Sequence, residues 1–262
     1  MAGERWDLSG NEGCGLGALR GGVRFAAAYP ITPASDLLEW LSPRLDRLGG
    51  GLLQAEDELA SINMIIGASF GGVPSLTATS GPGLALMAES LGLAVAAEVP
   101  IVVVNVQRGG PSTGIPTKSE QVDLDIALHG LHGDAPHLVL APLDVADCAV
   151  TTGWAVQLAQ RLQVPAIVLS DQFLGQSTAV VSPPRQAPAA RPDEPERRAS
   201  AAWRPKAVLR PQPGFPRSGS RPPRARSRAV RRPRANIARG DHPGGRLGMA
   251  KGPDTRPGRL DD

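Results

Sequence analysis

The sequence has few aromatic residues, few cysteines and no complete metal-binding set. Of 262 residues, four are Phe, four are Trp and one is Tyr. Two thiols, Cys14 and Cys148, cannot ligate an iron–sulfur cluster alone or form a disulfide framework, so we expect both to stay reduced and to pack as small apolar residues. No Glu or Cys completes a metal set with the nearby histidines, which are His129, His132 and His137. We therefore predict no metal site in this chain.

Long apolar segments and an apolar leader are also missing. The longest candidate span, residues 81–106, is interrupted by Glu89, Glu98 and Pro100, so the sequence does not predict a transmembrane helix. The N-terminus reads Met-Ala-Gly-Glu-Arg-Trp-Asp and lacks the apolar region of a secretion signal. Together with the two reduced thiols, these absences favour a cytoplasmic protein.

Positive charge is scarce in the first 184 residues and concentrated in the remainder. Residues 1–184 contain 8 Lys and Arg and 18 Asp and Glu, a net charge of −10, whereas residues 185–262 contain 20 and 7, a net charge of +13. The second segment has 18 Arg, 13 Pro and only 9 large apolar residues among 78 positions, too few for a packed core. We expect a folded domain over residues 10–184 and a disordered, Arg/Pro-rich, low-complexity tail over residues 185–262.

Three interpretations of this tail stay open. GC-rich coding sequence read in another frame yields Arg, Pro, Gly, Ala and Ser, so the tail can be frameshift-derived. A native, inert disordered tail has the same composition. A basic arm such as residues 221–234 would bind a nucleic-acid backbone electrostatically, although only Trp203 and Phe215 are available there for stacking on bases.

Short apolar runs alternate with helical patterns in the first 181 residues. The runs predict strands buried on both faces, and they cover residues 23–30, 51–56, 73–80, 101–108, 137–142 and 164–171. Helical periodicity is found over residues 33–48, 58–70 and 144–162, and in the first of these helices Thr32 is the predicted N-cap and Pro33 the first helical residue. This alternation predicts an α/β fold with three layers, in which a mostly parallel sheet has helices on both faces.

Four of the predicted strands run into loops of distinctive composition. In open parallel sheets, ligands bind at the carboxyl ends of the strands, where such loops meet. The four loops are Tyr-Pro-Ile-Thr-Pro (29–33), Glu-Asp-Glu (56–58), Ser-Gly-Pro-Gly (80–83) and Arg-Gly-Gly-Pro-Ser-Thr-Gly (108–114). Their common position predicts a ligand site at this edge of the sheet.

Each loop also has an ordinary structural explanation. The three acids at 56–58 complement the dipole of a helix N-terminus. The glycines at 80–83 suit a phosphate-binding turn, but no Lys-Ser or Lys-Thr follows, which excludes a P-loop. Arg108 can serve as a surface ion-pair partner, although its position between an apolar strand and a Gly-Gly-Pro loop suits planar recognition of a carboxylate.

The loop sequences resemble those of the α subunit of 2-oxoacid:ferredoxin oxidoreductases, most closely the 2-oxoglutarate type. The matching stretches are Tyr-Pro-Ile-Thr-Pro-Ala-Ser (29–35), Glu-Asp-Glu-Leu-Ala-Ser (56–61), Thr-Ala-Thr-Ser-Gly-Pro-Gly (77–83) and Gln-Arg-Gly-Gly-Pro-Ser-Thr-Gly (107–114). The resemblance extends in register from about residue 10 to residue 181. It implies the thiamine-diphosphate-binding fold and, specifically, the domain that binds the pyrimidine end of this cofactor.

The resemblance also implies roles for individual residues. A catalytic glutamate hydrogen-bonds a nitrogen of the cofactor's pyrimidine ring, and counting back from Gly67 assigns this role to Glu58, with Glu56 as the less favoured choice. Thr32 and Arg108 correspond to the residues that hold the carboxylate of the 2-oxo acid substrate. The remaining positions implied to bind the cofactor are Tyr29, Pro30, Ile31, Gly81 and Gly83.

A partner chain follows from the same resemblance. No Gly-Asp-Gly segment followed by Asn, the usual Mg²⁺–diphosphate motif of thiamine enzymes, occurs in the sequence. The resemblance therefore implies a β subunit that supplies Mg²⁺, the diphosphate contacts and an iron–sulfur cluster, in at least a heterodimer.

The implied reaction is oxidative decarboxylation of a 2-oxo acid to an acyl-CoA, with coenzyme A as co-substrate and ferredoxin as electron acceptor. The substrate is 2-oxoglutarate, or else pyruvate or a branched-chain 2-oxo acid. Two alternatives stay open for the whole chain. One is a non-catalytic, truncated or frameshifted fragment of the pyrimidine-binding domain that acts only as a subunit-binding module. The other is nucleic-acid binding through the basic tail.

Overall fold

The computed structural model describes residues 4–184. In chain order the elements are β1 (Trp6–Ser9), α1 (Gly10–Gly21), β2 (Phe25–Ala28), α2 (Ser35–Arg47), β3 (Gly51–Gln54), α3 (Glu58–Phe70), β4 (Ser75–Thr79), α4 (Gly81–Ala96), β5 (Val102–Gln107), α5 (Leu124–His129), β6 (Leu138–Leu140), α6 (Val145–Leu162), β7 (Ala166–Asp171), α7 (Gln172–Gln176) and β8 (Thr178–Val181). Within this part of the chain, no helix is long and apolar enough to cross a membrane. The predicted tail lies outside the described residues.

Six strands form the main sheet, and all of its pairings are parallel. The strand order is β3-β2-β4-β5-β7-β6, so β3 lies on one side of β2 and β4 on the other. The chain direction across the sheet therefore reverses at β2, and the loops after β2 and β4 flank the crevice where open α/β sheets bind ligands. The predicted α/β fold is confirmed, and each predicted strand coincides with one strand of this sheet.

Helices cover both faces of the sheet. One core cluster joins the sheet to α1, α2 and α6, and the largest side chains of α2 in it are Leu37, Leu41 and Leu45. The other cluster joins the opposite face to α3 and α4. The prediction that every strand is buried on both faces is wrong for the edge strands β3 and β6, whose residues are half-buried or exposed because each has a neighbouring strand on one side only.

The sequence pattern did not predict α1, because five of its twelve residues are glycines and glycine disfavours helices. These glycines bring the backbones of α1 and α6 into contact. A Cβ on Gly17 would overlap the carbonyl oxygen of Ala149 and lie 2.9 Å from the nitrogen of Gly153.

Both cysteines lie in this region, one on each helix, and both are fully buried free thiols in the core, as expected. The Cys148 thiol donates to Cys14 and is buried, and both effects raise its pKa.

Two further features differ from the sequence prediction. The strands β1 and β8 form a separate antiparallel ribbon in which Trp6 pairs with Val181, so the described fold starts before residue 10. The helix α2 begins at Ser35, and Thr32 is not its N-cap. The amides of Ala34 and Ser35 both donate to the carbonyl of Ile31, which makes residues 31–34 a turn before the helix.

The α1–α6 contact gives a stability prediction. We expect Gly17→Ala to lower the free energy of unfolding by about 1–3 kcal/mol, because its methyl group would force two packed backbones apart. Gly67→Ala, in the last turn of α3, is the matched control, since a Cβ there meets no atom within 4 Å and alanine favours a helix by up to ~1 kcal/mol over glycine. Urea unfolding of both variants measures the difference, and equal stabilities would contradict the packing argument.

Candidate active site

The predicted site residues meet at the carboxyl edge of the main sheet. Residues 29–33 follow β2, residues 56–58 follow β3, residues 80–83 follow β4, and the long loop 108–123 follows β5. Because the strands are parallel, all four segments leave the sheet at the same edge.

Arg108 connects two of these segments. Its side chain is only 6% exposed, and its two Nη atoms donate to the carbonyl oxygens of Thr32 and Thr113, both at 2.5 Å. Its Nε atom is buried and has no hydrogen-bond partner among the described residues. Burial lowers the pKa of the guanidinium, but an arginine remains charged in a protein. The structure thus brings the predicted pair, Thr32 and Arg108, together through the backbone of Thr32, whose side chain is exposed.

The first loop is held by a residue that the sequence analysis did not single out. Asn11, at the start of α1, is fully buried and its Nδ2 donates to the carbonyl of Pro33 at 3.0 Å. Its Oδ1 is buried without a partner in the described structure, and a Cβ on Gly175 would lie 2.9 Å from it. On the loop itself, Tyr29 and Pro30 are exposed and Ile31 is half-buried. The anchored loop therefore presents accessible side chains next to Arg108.

Burial separates the three consecutive acids at 56–58. Glu56 and Asp57 are exposed, whereas Glu58 is only 7% exposed. Asp57 is the N-cap of α3 and accepts from the amide of Ala60 at 2.6 Å, so the ordinary function of an acid at a helix N-terminus belongs to Asp57. Glu58 instead extends from α3 toward the N-terminus of α4.

Gly83 makes room for Glu58 at the start of α4. A Cβ on Gly83 would overlap Thr79 Oγ1 and would lie 2.8 Å from Glu58 Cγ and 3.1 Å from Glu58 Oε1. The helix N-terminus carries free amide groups and a partial positive charge, which favour a nearby carboxylate. The predicted residues Glu58 and Gly83 are therefore in direct contact.

Asp123 is a second buried carboxyl group beside α4, and the sequence analysis missed it. Its Oδ2 accepts from Asn105 Nδ2 at 2.8 Å, and its amide donates to Gln107 Oε1 at 3.0 Å. A Cβ on Gly81 would lie 2.5 Å from its Oδ1. Burial raises the pKa of Asp123, and the hydrogen bond from Asn105 opposes this rise. In the sequence, Asp123 is an acid directly before α5, a position typical of a helix N-cap. Its side chain makes no cap hydrogen bond and accepts instead from Asn105 on β5.

The loop after β5 is attached to the end of β7. Gln121 Nε2 donates to Asp171 Oδ2 at 2.6 Å, and Ser119 Oγ donates to Gln172 Oε1. Within the loop, the amide of Gly109 donates to the carbonyl of Lys118 at 2.9 Å. These contacts hold the two ends of the loop, Arg108 and Asp123, in place at the edge of the sheet.

Several buried hydroxyl and amide groups near this edge have no hydrogen-bond partner among the described residues. They are Thr77 Oγ1, Ser80 Oγ, Asn105 Oδ1 and Ser170 Oγ. Buried polar groups in proteins are almost always paired, and an unpaired one needs an explanation such as a catalytic role or a bound ion or water. These hydroxyl and amide groups make the edge of the sheet polar.

A family model and the curated relatives that match this chain point to the same family. A family model described as pyruvate flavodoxin/ferredoxin oxidoreductase, thiamine-diphosphate-binding, matches residues 16–233. The chain is 46% identical over 177 residues to the 2-oxoglutarate synthase subunit KorA of Archaeoglobus fulgidus, covering 68% of this chain and 51% of that protein. It is 46% identical over 174 residues to the 2-oxoglutarate oxidoreductase subunit KorA of Mycobacterium tuberculosis, covering 64% of this chain and 26% of that one.

A solved structure agrees with these sequence matches. The 2-oxoglutarate:ferredoxin oxidoreductase from Magnetococcus marinus, with 2-oxoglutarate, coenzyme A and succinyl-CoA bound, matches with a TM-score of 0.69 and 51% identity. The match covers 70% of this chain and 32% of that chain. The chain thus spans about half the length of the Archaeoglobus subunit, about a quarter of the Mycobacterium subunit and about a third of the solved chain.

The raised pKa of Asp123 gives a pH prediction. The folded protein holds this proton at pH values where the unfolded chain, with a pKa of about 3.9, has lost it. Stability therefore falls as the pH rises from about 4 through the raised pKa. We expect Asp123→Asn, which keeps an oxygen for Asn105, to remove this fall, so that its stability relative to the wild type increases with pH. Urea unfolding between pH 4 and pH 7 measures this, and parallel curves would contradict it.

Proposed function

The chain belongs to the pyruvate flavodoxin/ferredoxin oxidoreductase family, and from this membership we propose that it is the α subunit of a 2-oxoglutarate:ferredoxin oxidoreductase. The reaction is oxidative decarboxylation of 2-oxoglutarate with coenzyme A to succinyl-CoA and CO₂, with two electrons passed singly to ferredoxin. The names of the relatives and the ligands of the solved structure favour 2-oxoglutarate over pyruvate or a branched-chain 2-oxo acid.

The observation that carries this proposal is a buried glutamate in contact with a glycine at a helix N-terminus. Glu58 lies against Gly83 at the carboxyl edge of the sheet, on the same edge as Arg108 and Thr32. Thiamine diphosphate, when bound, supplies a carbon nucleophile for the 2-oxo carbonyl. The function of Glu58 is to hydrogen-bond a nitrogen of the pyrimidine ring and to hold or release a proton there.

The residues of this edge fit the pyrimidine end of the cofactor. A Cβ on Gly81 would lie 2.5 Å from Asp123 Oδ1 and one on Gly83 would lie 2.8 Å from Glu58 Cγ, so the two glycines let both acids lie against the start of α4. Glu58 is the one buried carboxyl group of the three consecutive acids. The first loop contributes Tyr29, Pro30 and Ile31 to the same site. These six residues, from Tyr29 to Gly83 in the sequence, form the proposed cofactor contact.

Arg108 and Thr32 are the proposed carboxylate site for the substrate. The Arg108 Nη atoms each donate to one backbone carbonyl, which leaves one N–H on each Nη and the unpaired Nε–H. A charged guanidinium that is almost fully buried binds a carboxylate more strongly than an exposed one. The exposed hydroxyl of Thr32 can donate to the same carboxylate, which would orient the carbonyl for attack.

The other end of the cofactor belongs to a second chain in this proposal. No group of three His, Cys, Asp or Glu side chains among residues 4–184 could hold a metal ion. The proposal assigns Mg²⁺, the diphosphate contacts and the iron–sulfur cluster to a β subunit, and it takes residues 10–184, extended by β1, as the pyrimidine-binding domain. The described residues of this chain therefore fit the pyrimidine end of thiamine diphosphate.

The substitution Glu58→Gln tests the proposed function of Glu58, because it replaces the titratable carboxyl group by an amide of nearly the same size. In the assembled complex we expect Glu58→Gln to reduce turnover by at least about 100-fold, because an amide cannot exchange a proton with the pyrimidine nitrogen. Glu56→Gln is the matched control, and we expect near-normal turnover because Glu56 is exposed. The assay is ferredoxin reduction with 2-oxoglutarate and coenzyme A, and a normal rate for Glu58→Gln would refute the assignment.

Arg108 is tested by a change that keeps the charge and loses the planar pair of donors. We expect Arg108→Lys to raise the KM for 2-oxoglutarate by about 30-fold or more, since a charge-assisted hydrogen bond contributes roughly 2 kcal/mol. Arg161→Lys, on the exposed side of α6, is the control and should leave the KM unchanged. An unaltered KM in Arg108→Lys would show that this arginine does not bind the substrate.

A further inference from the structure

The first turn of α4 is weakly determined by its own sequence. It begins Gly-Pro-Gly (81–83), in which both glycines disfavour a helix and Pro82 has no amide hydrogen to donate. The first backbone hydrogen bond of the helix, from the amide of Leu84 to the carbonyl of Ser80, is 3.0 Å long. The position of this turn therefore depends on contacts from outside the helix.

Ser80 occupies the N-cap position of α4 without capping the helix. Its backbone has the extended conformation of an N-cap, but within residues 4–184 its side chain makes no cap hydrogen bond and its Oγ is buried without a partner. Four other helices, α1, α3, α6 and α7, do begin with a side-chain cap, from Ser9, Asp57, Asp144 and Asp171. The cap residue of α4 thus leaves the amides of the first turn unsatisfied.

Asp123 provides a contact from outside at this point. A Cβ on Gly81 would lie 2.5 Å from Asp123 Oδ1 and 2.7 Å from Oδ2, so both oxygens of the carboxyl group face the first residue of the helix. The side chain of Asp123 is buried. A carboxyl group next to a helix N-terminus is favoured by the partial positive charge there.

The central sheet holds Asp123 from the other side. Its carboxyl group accepts from Asn105 Nδ2 at 2.8 Å, and its amide donates to Gln107 Oε1 at 3.0 Å. Both partners are residues of β5, and Gln107 Nε2 donates in turn to the carbonyl of Ser170 on β7 at 3.1 Å. The side chain and the backbone of Asp123 are therefore both fixed to strands in the interior of the sheet.

The turn that Asp123 contacts also contacts the proposed catalytic glutamate. Gly83 is two residues after Gly81 in the same turn, and a Cβ on Gly83 would lie 2.8 Å from Glu58 Cγ and 3.1 Å from Glu58 Oε1. A displacement of this turn would move the surface against which the Glu58 side chain packs. Asp123 and Glu58 are therefore linked through one short segment of backbone.

We propose that Asp123 is a positioning residue, which takes the place of the missing side-chain cap of α4 and, through the first turn of this helix, fixes the position of Glu58. The effect on catalysis rests on the proposed function, whereas the effect on α4 does not. Arg108, at the other end of the same loop, is held separately by the carbonyls of Thr32 and Thr113. The proposed substrate carboxylate site should therefore be insensitive to Asp123.

The structural part is tested on the full-length chain alone by amide hydrogen exchange of residues 84–86, whose bonds close the first turn of α4. We expect Asp123→Ala to speed this exchange by about 5-fold or more, the scale of losing one helix cap. Asn105→Ala leaves the carboxyl group but removes the bond that holds it, so it should act in the same direction. Asp123→Asn keeps an oxygen for Asn105 and should exchange much as the wild type does.

The matched control for loss of a buried hydrogen bond is Ser69→Ala. Ser69 Oγ donates to the carbonyl of Pro100, which precedes β5 and so lies at the opposite edge of the sheet. We expect wild-type exchange at residues 84–86 in this variant. Unchanged exchange in both Asp123→Ala and Asn105→Ala, or equal acceleration by Ser69→Ala, would overturn the proposal.

The catalytic part is tested in the assembled complex. We expect Asp123→Ala to raise the Kd for thiamine diphosphate, measured by calorimetry with Mg²⁺, and to lower kcat, each by about 10-fold or more, because small displacements of a catalytic group are costly. The KM for 2-oxoglutarate should stay near the wild-type value. Asp123→Asn should restore both quantities, and the double variant with Asn105→Ala should be no worse than Asp123→Ala alone.

The outcomes separate this inference from the proposed function. A change in KM alone would place Asp123 in the substrate site, and an Asp123→Asn variant as impaired as Asp123→Ala would show that the group acts through its charge; either result overturns the positioning role. An active wild-type complex whose Asp123→Ala variant keeps its kcat and cofactor Kd refutes this role only. An inactive wild-type complex refutes the function, and the exchange measurement still decides whether Asp123 holds α4.

Discussion

The candidate site depends on the backbone of α4 coming into contact with carboxyl groups from two other elements. This contact requires the missing side chains of Gly81 and Gly83, because a Cβ on the first would lie 2.5 Å from Asp123 Oδ1 and one on the second 2.8 Å from Glu58 Cγ. The first turn of α4 thus has a buried carboxyl group on either side, at the positive end of the helix dipole. The packing of α3, α4 and the loop after β5 therefore depends on the contacts at Gly81 and Gly83.

Elements with a clear apolar period were predictable from the sequence, and elements held by backbone contact were not. The six strands of the sheet and the start of α3 at Glu58 follow from local patterns. The helix α1 does not, because its glycines give it low propensity and its stability comes from the contact between Gly17 and α6. The strands β1 and β8 pair across nearly the whole described chain, and no local pattern encodes such a pairing.

At the site, the types of residue were predictable and their orientations were not. Three consecutive acids at 56–58 give no local indication of which one faces inward. The start of α3 decides this, since Asp57 caps the helix and the next residue, Glu58, then extends toward α4. Asp123 has the sequence signature of a helix cap, but its partner, Asn105, comes from β5, which lies beside it only in the folded chain.

The ribbon of β1 and β8 brings the two ends of the described fold together. Trp6 pairs with Val181, and Arg20 Nη1 donates to the carbonyl of Pro184 at 2.8 Å. A domain whose first and last strands are neighbours can be inserted into a longer polypeptide at a single point, without moving the strands that carry its site. The same unit can therefore occur in relatives of very different length. Gene fusion and gene splitting around this domain are thus permitted by the geometry of one two-stranded ribbon.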